Sequence, residues 1–221
     1  MRSSLVAALV AAVAAASAPA FSKPWSPVPP CAAPVGVDSP AVPESMCSNE
    51  VARRGAIVVR EYGLPTAATL AQVRVDDQVF AQARSFGTQL LLEYFVKENH
   101  TIERTVPLSV RILGDRKNAT WLVGLMVSTA QYPDSGDIPA PSQPVELEPV
   151  GLRTLAAVQF NTASLPAVED YDNACGRLFE GPLPKGYAVN MTSSWTPTFV
   201  IYSGSASTSY TSECWAEVVK G

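Results

Sequence analysis

His100 is the only imidazole in the 221 residues. One histidine removes most metalloenzyme sites, and no nucleophile–base pair stands ready for Ser-His-Asp chemistry. The carboxylates that draw notice are Asp76-Asp77, Asp134 and Asp137. Their spacing lacks the glycine and terminal glutamate of a calcium loop, and a carboxylate pair alone specifies no reaction. They read as solvated turns and, at Asp76, as a helix cap. No G-x-S-x-G elbow, H-E-x-x-H motif or Gly-rich phosphate loop is present. Cys31, Cys47, Cys175 and Cys214 show no CxxC spacing, so zinc and thioredoxin-type redox chemistry are poor readings. The cysteines read as staples. Four allow three connectivities; spacing favours Cys31–Cys47 as a local loop and Cys175–Cys214 as a tie between a helix and the last strand.

Composition agrees with a binding or structural role. Sixteen Lys+Arg against 20 Asp+Glu leave a net charge of −4 with no basic run, which excludes a phosphate-tracking nucleic-acid surface. Hydrophobic residues at 47% against 16% charged describe a chain that buries a core.

The N-terminus reads as an address. Arg2 precedes an apolar run of twelve, Leu5 to Ala16, then small residues ending Ala18-Pro19-Ala20. Twelve helical residues rise about 18 Å, short of the roughly 30 Å of a bilayer core. Residues 1–20 are therefore expected to be a signal peptide and the mature chain to be secreted. Even cysteines and three N-x-[ST] sequons, at Asn99, Asn118 and Asn190, fit passage through the secretory pathway. Residues 21–50, with seven prolines, read as an extended arm, and 51–221 as the domain.

Short strands are expected at 56–62, 65–73, 107–113, 120–129, 155–161, 187–191, 199–202 and 214–219. One helix is expected from about Asp77 to Lys97, capped by Asp76, and another from about Pro166 to Phe179, stopped by Gly181-Pro182. A Pro-rich loop is expected over 132–144. This order predicts an α+β fold, two helices laid on a largely antiparallel sheet.

The first helix carries the functional signal. At 100° per residue Val79, Ala83, Phe86, Gly87, Leu90, Leu91 and Tyr94 form a core stripe. Thr88, Leu92, Phe95 and Val96 fall on the other side, so the C-terminal half is apolar almost all round. Either a loop or the N-terminal arm covers that second face, or it bounds an apolar ligand cleft.

Five fragments, in order, make the chain similar to the SOUL/haem-binding protein family. They are Val59-Arg60-Glu61-Tyr62, the helix of Phe86 to Asn99, Thr105 to Val110, Pro139-Ala140-Pro141-Ser142 and Glu213-Cys214-Trp215. The resemblance implies a distorted β-barrel of two βαββ-type halves with the helices outside. It also implies non-enzymatic binding of haem or another tetrapyrrole, with no obligatory axial ligand. On that reading Thr88, Leu92, Phe95 and Val96 contact the ligand, and Arg84 or Lys97 meets its carboxylates. The chain departs from the family where a helix-ending glycine turn is replaced by Lys97-Glu98-Asn99, and in its weakly basic rim. His100, inside a sequon, reads as a surface residue, with haem ligation as the alternative. Tyr62, Tyr94 and Tyr132 are phenolate candidates; Trp121, Trp195 and Trp215 read as core or rim aromatics, and Trp195 and Phe199 as possible cleft lining. The competing reading is a secreted interaction protein of the same fold that has lost haem; an enzyme is the least supported.

Overall fold

The computed structural model describes residues 48–62, 69–76, 79–100, 108–113, 119–127, 131–132, 135–141, 144–150, 153–202 and 210–221. The expected signal peptide, Cys31, Cys47, Asp77, Asn118 and Asp134 lie outside them.

The strands are β1 (Ser48–Arg54), β2 (Ile57–Tyr62), β3 (Thr69–Asp76), β4 (Leu108–Leu113), β5 (Thr120–Met126), β6 (Val145–Pro149), β7 (Arg153–Thr162), β8 (Tyr187–Val189), β9 (Thr198–Ile201) and β10 (Tyr210–Lys220). Two helices, α1 (Phe80–Lys97) and α2 (Val168–Glu180), complete the α+β fold. All ladders are antiparallel, in the order β1-β2-β7-β10-β9-β4-β5-β3-β6, with β8 on β10. Among the described residues β1 and β6 end the sheet without pairing, so it is barrel-like and open, not closed.

The order is palindromic. The β3-α1-β4-β5 unit and the β7-α2-β9-β10 unit meet at the β4–β9 ladder. β2 and β6, each preceding one unit, pair with the first strand of the other. Two βαββ halves are thus clasped by exchanged strands.

Local chemistry explains most boundaries. Gly55, at φ 59, takes the left-handed position of a two-residue hairpin between β1 and β2. β1 begins at Ser48, three residues inside the expected arm, and β6 forms where the sequence shows only the end of a Pro-rich loop. Asp76 is not a helix cap: it ends β3, accepts a hydrogen bond from Thr120 Oγ1 at 2.6 Å, and Val79 precedes α1 instead. At α2 the Asp170 carboxylate accepts from the Ala167 N–H at 2.8 Å, closing the first turn.

Both helices lie on one sheet face, α1 over β3 and β5 and α2 over β7 and β10. Alternate strand residues pack beneath them, including Val73, Val110, Val123, Val158 and Phe199. The Cys175–Cys214 disulfide joins α2 to β10, as the spacing favoured. Gly87 lets α1 close on β5, because a Cβ there would stand 2.5 Å from Val123 Cγ2. Gly87→Ala is therefore expected to destabilise by about 1–3 kcal/mol despite the better helix propensity of alanine. In urea unfolding, adding Val123→Ala should cost less than the two single losses summed; strict additivity would mean the clash is absent.

Candidate functional site

The helix-free face of the sheet carries two buried charge clusters. Arg60 on β2 and Glu213 on β10 are 3% and 1% exposed, and Arg60 Nη1 donates to both carboxylate oxygens at 3.0 Å. Tyr202 Oη donates to Glu213 at 2.8 Å and Trp215 Nε1 at 2.6 Å. Burial and the adjacent Glu213 carboxylate hold the Tyr202 phenol well above its ordinary pKa, so it stays a donor. In the second cluster Arg111 binds Gln72 and Glu148, and Trp195 Nε1 donates to Glu148 at 3.1 Å. Arg111 and Arg153 both lie over the Trp195 ring, at 4.5 and 4.6 Å. These charges are matched to one another. They act as struts of the inner sheet face.

The end of α1 is different. Glu98 caps the helix and Asn99 follows at φ 56, the left-handed position that glycine most readily takes. The His100 N–H then reaches the Phe95 carbonyl at 2.8 Å and the Asn99 N–H that of Val96 at 3.4 Å, a Schellman closure. This cap folds the His100 ring back onto Phe95, with centroids 5.3 Å apart. The expected surface histidine is thus buried, 7% exposed. Its ring also lies 4.7 Å from Tyr94 and 5.3 Å from Tyr132, and Nδ1 is 3.1 Å from Tyr132 Oη. Two polar atoms in this aromatic box, His100 Nε2 and Tyr94 Oη, are buried with no hydrogen-bond partner among the described residues. Burial lowers the His100 pKa, so the ring is neutral, and pushes Tyr94 up to about 12, so it is a phenol and no phenolate ligand.

The six expected contact residues occupy three levels. Phe95 is 1% exposed within the core, and Leu92 is 9% exposed. Thr88 and Arg84 are half-buried; Thr88 Oγ1 donates to the Arg84 carbonyl, and Arg84 Nη1 to Pro166 O, both at 2.7 Å. Val96 and Lys97 are exposed, with Lys97 Nζ 3.6 Å from Glu98. Arg84, Thr88 and Leu92 share one side of α1 at four-residue intervals, leading to Phe95 and Val96 and then the His100 box. The wheel's core stripe is shifted, since Val79 and Phe86 are exposed while Leu92 and Phe95 are buried. Phe95 packs into the sheet core and against the His100 ring. Trp121, Trp195, Trp215 and Phe199 are all buried, so Trp195 and Phe199 line no open surface. Among the described residues no three His, Cys, Asp or Glu side chains cluster to hold a metal ion.

The family profile described as SOUL heme-binding protein matches residues 47–181. The chain belongs to the SOUL family. Its fold is that of the C-terminal domain of EcmrR, at TM-score 0.55 and 11% identity, covering 75% of this chain and 98% of that one. An integron cassette protein of Vibrio cholerae aligns at TM-score 0.41 and 15% identity, over 74% of this chain and 96% of its own. No curated protein matches the chain. Two buried polar atoms without partners among the described residues, His100 Nε2 and the Tyr94 hydroxyl, lie at the end of α1, whose outer face carries the exposed Val96 and Lys97. Among the described residues no helix is long and apolar enough to cross a membrane.

The charge clusters went unread in the sequence, although Arg60 and Glu213 lie in two of the family-like fragments. The available signal was a charged residue at an inward position of an otherwise β-branched or aromatic strand.

Proposed function

We propose that this SOUL protein binds a tetrapyrrole, haem among them, without catalysis, along the Arg84–Thr88–Leu92–Val96 side of α1. The observation that carries the reading is the apolar end of that stripe, where an aromatic box keeps two buried polar atoms unbonded. Leaving such atoms unpaired costs about 1–3 kcal/mol each, a cost a ligand removes. Leu92 and Phe95 form the floor and Thr88 and Val96 the rim. Lys97 offers an ammonium to a ligand carboxylate, and Arg84 stands at the far end beside α2. When bound, haem supplies a redox-active iron in an apolar plate with two carboxylates.

Secretion belongs to the same proposal. The buried Cys175–Cys214 bond supports an oxidising compartment. The Asn99 and Asn190 sequons stand in turns suited to glycans: Asn99 is exposed, and Asn190 Oδ1 accepts from Thr192 Oγ1 at 2.8 Å.

Haemin titration of the secreted chain, followed by Soret absorbance, tests the reading. Val96 is 60% exposed and Lys97 lies at the surface, so Val96→Asp with Lys97→Glu leaves the core intact. The pair is expected to weaken haemin binding at least about tenfold, roughly 1.4 kcal/mol. Unchanged affinity moves the ligand elsewhere; a flat titration of the unmodified chain returns it to the interaction-protein reading.

A further inference from the structure

We propose that His100 is a proton-operated latch: its neutral ring holds the end of α1 against the Gln131–Tyr132 segment, and protonation releases that end. The latch lies at the end of the stripe assigned above to ligand contact, but its test needs no ligand, so it stands or falls apart from that reading.

The packing leaves no place for a second proton. His100 is the only imidazole of the chain and is 7% exposed. Tyr94, Phe95 and Tyr132 surround its ring, with centroids 4.7 to 5.3 Å away. Nδ1 lies 3.1 Å from Tyr132 Oη, and Nε2 is buried with no partner among the described residues. A neutral imidazole has one N–H, and the phenol serves Nδ1 in either tautomer, as acceptor or as donor. An imidazolium has two N–H donors and a full charge. One of those donors is then buried without an acceptor, a cost that water removes once the ring swings out.

The charges around the ring do not reverse this. On α1 the nearby groups are Glu98, whose carboxylate favours the imidazolium, and Lys97, whose ammonium stands 3.6 Å from that carboxylate. Tyr94 is pushed up to about 12 by burial and stays a neutral phenol. The 131–132 segment brings an amide and a second phenol. Burial outweighs Glu98 and lowers the His100 pKa.

The part held by the ring is small. The His100 N–H donates to the Phe95 carbonyl, the Asn99 N–H to that of Val96, and Gln131 Nε2 to the Asn99 carbonyl. Val96, Lys97 and Asn99 are exposed, so the last turn can part from the 131–132 segment while Phe95 stays in the sheet core. Proton linkage sets the sign. A histidine whose pKa is lowered by folding contributes fully above its unfolded value of about 6.5, and the contribution is lost as pH falls below it. Uptake of one proton on opening raises the opening constant by as much as about tenfold between about pH 7.5 and about pH 5.5, above the range where carboxylates titrate.

Hydrogen exchange of the full secreted chain at those two pH values, corrected for intrinsic exchange, tests the latch. The Glu98 and His100 amides, bonded to the Tyr94 and Phe95 carbonyls, should lose protection by about five- to tenfold on acidification. The Gly181 amide at the end of α2, bonded to the Arg177 carbonyl, should keep its protection. His100→Phe keeps a ring and takes no proton, so its protection should be equal at both pH values. Equal protection in the wild type, or an equal loss in His100→Phe, overturns the latch. If the variant folds poorly, nuclear magnetic resonance titration of the wild-type imidazole decides. An apparent pKa below about 6.5, with the Tyr132 ring signals moving in the same step, is expected; a value at or above about 6.5, or Tyr132 signals that do not move, overturns it.

Discussion

Glu213→Ala is expected to lower the unfolding free energy by about 3–5 kcal/mol, read as a shift of the urea midpoint at constant slope. The substitution leaves the Arg60 guanidinium, 3% exposed, without its counter-charge. It also strips an acceptor from Tyr202 Oη and Trp215 Nε1. Burying the pair is costly, and the pair holds because two further donors satisfy the carboxylate. Arg60→Met with Glu213→Leu removes both charges and should recover much of the loss, since volume and apolarity replace the ion pair. A loss below about 1 kcal/mol in Glu213→Ala would mean that water reaches the pair and that it contributes little.

Removing the Cys175–Cys214 bond, by Cys175→Ala with Cys214→Ala, is expected to cost about 4 kcal/mol. That figure follows from loop-closure entropy across a sequence separation of 39 residues. The bond ties α2 to β10, so its loss should lower Tm and loosen the second βαββ half first. Hydrogen exchange should show α2 amides losing protection before those of α1. Cys214 is fully buried and Cys175 nearly so; glutathione should leave the bond intact in native protein and reduce it after denaturation. Uniform loss of protection across both helices would mean that the halves unfold together.

The two family-like fragments around Arg60 and Glu213 show how far local pattern reaches. Each reads as a strand because β-branched and aromatic residues alternate, and each became one. That Arg60 meets Glu213 depends on β2 and β10 both flanking β7, a pairing 153 residues apart in sequence. Nothing within either fragment specifies it. Strand β6 was missed for a related reason: Val145–Pro149 is short and edge-placed, and it pairs with β3 across more than seventy residues.

On its own the sequence determined what short-range chemistry controls. The α+β order follows from the two periodicities and the α2 stop from Gly181-Pro182. The favoured Cys175–Cys214 bond came from spacing, and the family from ordered fragments. The phase of α1 and the state of His100 were tertiary decisions. A wheel weighs residues within one helix, whereas Phe95 meets both the sheet core and the His100 ring folded back from beyond the helix end. Asn99 in the left-handed conformation was the one local hint of that fold-back. Composition shows a lone histidine; only packing decides that it is buried with one nitrogen unbonded, because burial is a property of the neighbours that long-range pairing brings.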